Sequence, residues 1–223
     1  MTPARRPLQA VVFDLDGLAV DSEPLHVEAW ERAVRAAGRD FDPSWIEPYF
    51  GSPVRTTAEG LSTQLGLDGE ELLERRNTEF ERLLREGLPS RPGLPEAVER
   101  LRAAGLRMAI VTSGQRGYAD VALEGLRRHD GISFELAVTR DDVERPKPDP
   151  EPYRTAAERL GVDPSECAAL EDAPTGVRSA KRAGMLAIAV PNEHTERLDF
   201  READTVQPDL ATAVEWLLGI QVQ

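Results

Sequence analysis

The chain has 223 residues, of which 40% are hydrophobic and 30% charged, and its 27 basic and 40 acidic side chains give a net charge of −13. This length fits one full domain that carries a smaller insertion. The acidic balance repels phosphodiester backbones and anionic membrane surfaces, so we expect neither nucleic acid nor a membrane as a partner.

The cysteine content and the start of the sequence bear on the compartment. Cys167 is the one cysteine, so it can form no disulfide within the chain. The first residues lack the apolar stretch of a signal peptide, and no run reaches the roughly 18 apolar residues that a membrane helix needs. We therefore predict a cytoplasmic protein, and we expect it to be a monomer.

Short apolar runs alternate with helical patterns along the chain, which is typical of βα units that build a mostly parallel sheet. Two of the helical patterns end at Gly105 and Gly161, as expected where a helix stops. The predicted fold class is α/β, with a Rossmann-like doubly wound parallel sheet. The predicted strands cover residues 9–13, 106–111, 134–138, 167–170, 185–190 and, as a weaker sixth, 204–207.

The first connection is too long for a simple crossover. Roughly 90 residues separate the first two predicted strands, where about a dozen suffice. Ser22 can cap a helix whose apolar stripe includes Trp30, and a second helical pattern follows it. We predict an inserted all-α domain over residues 19–88, with the core domain formed by residues 1–18 and 89–223.

Polar side chains directly follow three of the predicted strands. Because ligands of open α/β sheets bind beyond the carboxyl ends of the strands, we expect these side chains to share one crevice. Crowded carboxylates raise one another's pKa unless a divalent cation neutralises them, and oxygen ligands without His or Cys indicate Mg²⁺. In chain order the side chains are Asp14, Asp16, Thr112, Ser113, Glu171 and Asp172.

A single lysine supports a phosphorylated ligand. Mg²⁺ binds through one or two carboxylates plus substrate phosphate oxygens, so a Mg²⁺ site predicts such a ligand. Lys147 lies in RPKPDP, whose prolines stiffen the loop, and it is one of two lysines against 25 arginines. A lysine rather than an arginine at this position indicates a need for a compact point charge. We predict that Lys147 holds a phosphoryl oxygen and offsets a nucleophilic carboxylate.

Four segments, DLDGLAVDSEP, VTSG, RPKPDP and LEDAPTG, resemble in this order the four motifs of the haloacid dehalogenase (HAD) superfamily of phosphohydrolases. The resemblance covers nearly the whole chain. The helical insertion looks like the small cap of the first subfamily, and DSEPLHVEAW and RRNTEFERLL are similar to the β-phosphoglucomutase branch. The resemblance implies Mg²⁺-dependent phosphoryl transfer under a cap that closes over the substrate.

Carried over residue by residue, the resemblance implies that Asp14 is the nucleophile, which forms an aspartyl-phosphate, and that Asp16 is the general acid and base. Two aspartates at this spacing also make chemical sense by themselves. A carboxylate nucleophile cannot protonate its own leaving group, so a second carboxyl must do so.

The resemblance also implies two ligand sets. The Mg²⁺ ligands would be Asp14, the backbone carbonyl of Asp16, Glu171 and Asp172. The substrate and its phosphoryl group would be held by Thr112, Ser113, Lys147 and the cap residues His26, Arg55 and Arg76. Whether Glu171 touches the metal or only supports the other ligands stays open. His26 and Arg76 stand where the mutase has a histidine and a basic residue, which favours a sugar phosphate.

Three functions remain open from the residues. In a phosphatase of a small phosphorylated metabolite, water takes the phosphoryl group from Asp14. In a β-phosphoglucomutase-type isomerase, a bound sugar phosphate takes it. In a receiver-like switch the phosphoaspartate only signals, but Asp16 argues against this function because an added acid or base speeds turnover.

Two departures from the mutase pattern favour the phosphatase. Gln115 stands where the mutase has a lysine that grips the second phosphate, although Arg116 is adjacent. Arg55 lies one residue further from Gly51 than in the mutase. We therefore predict hydrolysis as the main reaction.

Overall fold

The computed structural model describes residues 7–49 and 54–221. The chain divides into two compact units. The core unit comprises Met1–Asp21 and Pro89–Gln223, and the helical unit comprises Ser22–Leu88.

Six strands and eight α-helices are present in the described residues. The strands are β1 (Ala10–Phe13), β2 (Arg107–Val111), β3 (Leu136–Val138), β4 (Cys167–Glu171), β5 (Leu186–Ala189) and β6 (Thr205–Val206). The helices are α1 (Glu23–Ala36), α2 (Val54–Leu65), α3 (Gly69–Glu86), α4 (Leu94–Ala103), α5 (Arg116–Asp130), α6 (Glu151–Leu160), α7 (Pro174–Ala183) and α8 (Leu210–Gln221). No helix in the described ranges is both long enough and apolar enough to cross a membrane.

The core unit is built on one six-stranded sheet with the order β3-β2-β1-β4-β5-β6. All neighbouring strands are parallel. All six predicted strands are present, and the predicted α/β fold class with a Rossmann-like doubly wound sheet is confirmed. The chain order changes direction at β1, which lies between β2 and β4, so the topological switch point lies at the carboxyl end of β1.

Apolar side chains cover both faces of the sheet, as a parallel sheet between helices requires. Ala10 and Val12 of β1 belong to an apolar cluster with Tyr153 of α6 and Val177 of α7. Val11, also fully buried, projects to the opposite face because successive side chains of a strand alternate. The polar residues that directly follow the strands lie beyond these apolar side chains, at the carboxyl ends of the strands.

The helical unit has an apolar core of its own, which includes Trp30 of α1 and Leu72 of α3. Ser22 occupies the N-cap position of α1, but its side chain makes no capping hydrogen bond, so the predicted capping role is wrong. The backbone of a capping residue is usually extended, whereas that of Ser22 is in the αR region. Gly51, used above in the comparison with the mutase pattern, lies outside the described residues.

The chain leaves and re-enters the core unit along two paired segments. Val20 pairs with Ser90 in an antiparallel bridge. The backbone N–H of Asp21 donates to a carbonyl of the returning segment at 3.0 Å. Because of this pairing, the helical unit begins at Ser22, slightly later than the predicted start of the insertion.

Replacement of Leu101 by Ala should lower the free energy of unfolding by about 2–5 kcal/mol, because it leaves a cavity under α4 where the side chain is 0% exposed. Leu198, 50% exposed, provides a matched control, since Leu198→Ala should change this free energy by less than about 0.5 kcal/mol. Denaturant titration followed by circular dichroism measures both variants. Equal losses would contradict the assignment of α4 to the core.

Candidate active site

The carboxyl ends of β1, β2 and β4 meet at the side chain of Lys147, which is only 6% exposed. Its Nζ donates to Asp14 Oδ1 at 2.5 Å, to Glu171 Oε1 at 2.7 Å and to the carbonyl oxygen of Val111 at 3.0 Å. The sheet register explains this meeting. Phe13 is paired with the corresponding residues of both neighbouring strands, so the next residue lies beside both strand ends.

The charges in this contact stabilise one another. Burial lowers the pKa of Lys147, but the neighbouring carboxylates of Asp14 and Glu171 outweigh burial, and the net shift is upward. Burial raises the pKa of Asp14 above its usual range, and the charge of Lys147 opposes that shift. Lys147 therefore stays charged throughout the pH range in which proteins function, and it is the counter-charge of Asp14.

Asp14, Glu171 and Asp172 form a buried acidic cluster, in which one oxygen from each carboxylate lies within 4.8 Å of the others. Burial, followed by the charge of Glu171, raises the pKa of Asp172 to about 7. Lys147 supplies one positive charge against these three carboxylates. The remaining negative charge and the oxygen-only donors fit a hard divalent cation, so these residues could hold one.

The carboxylate of Glu171 is held tightly by its surroundings. The hydroxyl of Tyr153, a fully buried residue, donates to Oε1 at 2.5 Å, the same oxygen that accepts from Lys147. A Cβ at position 176 would lie 1.7 Å from this oxygen, so only glycine fits at Gly176. The beginning of α7 can therefore approach the acidic cluster because it has no side chain there.

Asp172 is fixed to the loop after β1. Asn192 Nδ2 donates to Asp172 Oδ2 at 2.8 Å and to the carbonyl of Gly17 at 3.1 Å. Gly17 has a φ of 81°, and a Cβ there would lie 2.3 Å from Asp172 Oδ2. Both the backbone conformation and the close approach therefore require glycine in the DLDG segment.

The carboxyl group of Asp16 has a hydrogen-bond donor on each oxygen. Thr112 Oγ1 donates to Oδ2 at 3.3 Å, and the hydroxyl of Tyr118 donates to Oδ1. Thr112 Oγ1 in turn accepts from the backbone N–H of Gly114 at 2.9 Å. Ser113, which lies between Thr112 and Gly114 in the chain, is exposed. Asp16 and Thr112, predicted from different strand ends, are thus in contact.

Arg116 is bound to the segment around β3. Its guanidinium donates to the carbonyl of Ala137 at 3.1 Å and to the carboxylate of Asp142. Its backbone N–H donates to Asp141 Oδ2 at 2.7 Å. The preceding Gln115 is exposed at the N-cap of α5. Arg116 is therefore engaged by groups other than the acidic cluster.

In the helical unit, His26 and Arg76 are in contact. Arg76 is only 4% exposed, and its guanidinium carbon lies 4.3 Å from the ring centroid of Phe80 and 5.7 Å from that of Trp30. Nη2 contacts His26 Nδ1, and Nη1 donates to Asn77 Oδ1 at 3.1 Å. Burial lowers the pKa of Arg76 to about 10, and burial together with Arg76 lowers the pKa of His26 to about 3. His26 is therefore neutral near pH 7.

The structure brings some predicted site residues together and leaves others apart. Arg55 lies at the surface of the helical unit, where its guanidinium is paired with Glu70, and Ser113 is exposed. The groups in contact or within the acidic cluster are Asp14 with Lys147, Glu171 and Asp172, Asp16 with Thr112, and His26 with Arg76.

Three contributing residues were missed by the sequence reasoning. Tyr153 lies in the helical pattern that ends at Gly161, and no sequence signal indicates the contact of its hydroxyl with the acidic cluster. Asn192 follows β5, so the same strand-end rule, applied to the fifth strand, could have found it. Tyr118 lies in the first turn of α5, and no spacing rule connects it to Asp16.

The chain matches the family of haloacid dehalogenase-like hydrolases over residues 8–184. This match covers most of the chain, and the protein therefore belongs to that family. The prediction that the chain is a hydrolytic enzyme of the HAD superfamily is confirmed.

Named relatives and a solved structure give the same assignment. The chain is 34% identical to validoxylamine A 7'-phosphate phosphatase of Streptomyces hygroscopicus subsp. limoneus, covering 93% of this chain and 96% of that protein. It is 35% identical to a phosphorylated carbohydrates phosphatase of Thermotoga maritima, covering 80% and 82%. A crystal structure from Thermotoga maritima, provisionally named a beta-phosphoglucomutase, is similar with a TM-score of 0.82, 30% identity and coverage of 95% and 99%.

Replacement of Gly176 by Ala should lower the free energy of unfolding by about 1–3 kcal/mol, because the new Cβ overlaps the Glu171 carboxylate. Gly219→Ala in α8 is the matched control, since a Cβ there meets nothing within 4 Å. Alanine should be neutral or stabilising by up to about 1 kcal/mol at that helical position. Denaturant titration compares the two variants, and a Gly176→Ala protein as stable as the parent would contradict the close packing of Glu171.

Proposed function

We propose that the protein is a Mg²⁺-dependent phosphatase that hydrolyses a small phosphorylated metabolite, of the sugar phosphate class, through an aspartyl-phosphate on Asp14. The contact between Lys147 and Asp14 at the switch point of the sheet carries this proposal. It places the Asp14 carboxyl group beside a compact cation that opposes its protonation and can also hold a phosphoryl oxygen. The phosphatase names of two relatives support the reaction class, and the carbohydrate phosphatase supports the substrate class.

The reaction divides between Asp14 and Asp16. A carboxylate oxygen of Asp14 forms a bond to phosphorus, the bond from phosphorus to the ester oxygen breaks, and the carboxyl of Asp16 gives its proton to the departing oxygen. A water molecule then attacks phosphorus and gives a proton to the Asp16 carboxylate. The bond between phosphorus and Asp14 breaks, which restores the Asp14 carboxylate and releases inorganic phosphate.

The acidic cluster would hold the metal. Its proposed ligands are Asp14, the backbone carbonyl of Asp16 and Asp172, with Glu171 as a ligand or as the partner that fixes Lys147. When bound, Mg²⁺ neutralises the carboxylates and draws charge from the phosphoryl oxygens. Burial of Asp14, Glu171 and Asp172 with one ammonium as counter-charge supports this assignment.

Thr112, Ser113 and Lys147 are the proposed phosphoryl-binding residues of the core unit, and Lys147 has the strongest support. The hydroxyl of Thr112 already donates to Asp16, so we propose that it contributes to orienting that carboxyl as well. Ser113 is exposed beside Thr112 and offers its hydroxyl or backbone N–H.

His26 remains the proposed substrate contact of the helical unit. With a pKa of about 3 it would act as a neutral hydrogen-bonding group rather than as a cation. Arg76 is buried against two aromatic rings and bound to His26 and Asn77, which favours a structural role for it. The pairing of Arg55 with Glu70 weakens its candidacy.

The choice between hydrolase and mutase depends on a second phosphate-binding cation. Gln115 is neutral, and Arg116 is bound to Ala137 and Asp142. Both observations favour water as the phosphoryl acceptor. The β-phosphoglucomutase-type isomerase is the second candidate, and the similarity to the Thermotoga maritima structure favours it.

Incubation with a panel of sugar phosphates should release inorganic phosphate in the presence of Mg²⁺ and not in excess chelator. Asp14→Asn should lower this release by at least about 10³-fold, since it removes the nucleophile. With β-glucose 1-phosphate and its bisphosphate, glucose 6-phosphate is measured beside free phosphate. Isomerised product in tenfold excess over phosphate would establish the mutase, and full activity in chelator would contradict the metal requirement.

Replacement of Lys147 by Arg should impair turnover almost as much as replacement by Ala, by about 10²–10³-fold. The planar guanidinium is longer and cannot replace an ammonium that contacts two carboxylates and a carbonyl oxygen. Lys181→Arg is the matched control, because Lys181 pairs with Asp204 at the surface and should tolerate arginine. A fully active Lys147→Arg enzyme would show that charge alone suffices.

A further inference from the structure

We propose that Tyr118 is a positioning residue, which holds the carboxyl group of Asp16 in the orientation needed for proton transfer. This inference rests on the proposed function, in which Asp16 protonates the leaving oxygen. Tyr118 is absent from the motifs that connect the chain to its family, and its assignment comes from the contact between its hydroxyl and Asp16 Oδ1.

The Asp16 carboxyl is held from two elements of the core unit. Tyr118 reaches Oδ1 from the first turn of α5, and Thr112 reaches Oδ2 at 3.3 Å from the end of β2. One donor would leave the carboxyl group free to rotate about its bond to Cβ. Two donors on different oxygens fix its plane, and proton transfer to a leaving group depends on that orientation.

The backbone is shaped to bring the Tyr118 ring to this place. A Cβ at position 114 would lie 2.8 Å from Tyr118 Cδ1, so the ring packs against Gly114 at a distance that no other residue permits. The N–H of Gly114 also donates to Thr112 Oγ1 at 2.9 Å. The same glycine therefore connects both residues that contact Asp16.

The phenol also suits a group that alternates between acid and base. A tyrosine hydroxyl can donate to a carboxylate and can accept from a carboxylic acid, so contact with Asp16 is available in both protonation states. Phenylalanine would keep the ring packed against Gly114 and would lose only the hydroxyl. The hydroxyl contact can therefore be tested with little disturbance of the packing.

The test compares two substrates that differ in their need for the acid. A sugar phosphate has an alkoxide leaving group that must be protonated, whereas p-nitrophenyl phosphate releases a stable phenolate. For Tyr118→Phe we expect kcat/KM to fall about tenfold or more with the sugar phosphate and to stay within about twofold with p-nitrophenyl phosphate, since general acid catalysis as a whole contributes about 10²–10⁴-fold. Tyr49→Phe in the helical unit is the matched control and should change neither value.

Asp16→Asn provides the reference for loss of the acid. It should show the same dependence on leaving group as Tyr118→Phe, with a larger loss. If Asp16→Asn lacks this dependence, the proposed acid role fails, and the inference about Tyr118 fails with it. If Asp16→Asn shows the dependence and Tyr118→Phe loses activity equally on both substrates, or on neither, only the present inference is overturned.

A second variant covers the case in which Tyr118→Phe does not fold. Gly114→Ala places a Cβ 2.8 Å from Tyr118 Cδ1 and 3.2 Å from Thr112 Oγ1, so it should disturb the donors to both oxygens of Asp16. Thermal unfolding checks that each variant is folded before kinetics are measured. The same selective loss on the sugar phosphate supports the inference, and an unchanged ratio between the two substrates contradicts it.

Discussion

The buried contact of Lys147 with Asp14 and Glu171 is the interaction on which the arrangement of the core unit depends. Removing an ion from water costs several kcal/mol, so such a contact persists only if every charge has close partners. Here the ammonium has three acceptors, two carboxylates and the carbonyl of Val111. These acceptors come from the ends of three adjacent strands, and a change of register would separate them.

The residues around this contact hold its charged groups in place. Tyr153 donates to the carboxylate of Glu171, and Gly176 gives that carboxylate room at the start of α7. Asn192 fixes Asp172 against the carbonyl of Gly17. The space and the hydrogen bonds that the buried charges need thus explain why glycine occupies positions 17 and 176 and why Asn192 supplies an amide. The acidic cluster retains excess negative charge after these contacts, which fits the divalent cation proposed for it.

The sequence predicts the parts of the site that follow from chain topology. Apolar runs locate the strands, and a parallel sheet brings the residues after them to one edge, so Asp14, Asp16 and Glu171 could be placed before the structure was known. Contacts that depend on side-chain rotamers and helix orientation could not be placed in this way. Two contacts depend on where α5 begins relative to β3, and no local sequence pattern encodes that position. They are the contact of Tyr118 with Asp16 and the contact of Arg116 with Asp142.

The engagement of Arg116 bears directly on what accepts the phosphoryl group. Burial raises the pKa of Asp142, but hydrogen bonds from Thr139 and Arg159 and the charge of Arg116 outweigh it and lower the pKa to about 2. Asp142 is therefore ionised near pH 7, and its attraction for Arg116 persists there. Turning the guanidinium toward a substrate would break this pair and the bond to the carbonyl of Ala137. A distal phosphate would have to compensate for both losses, whereas water needs no such cation, and this difference favours hydrolysis.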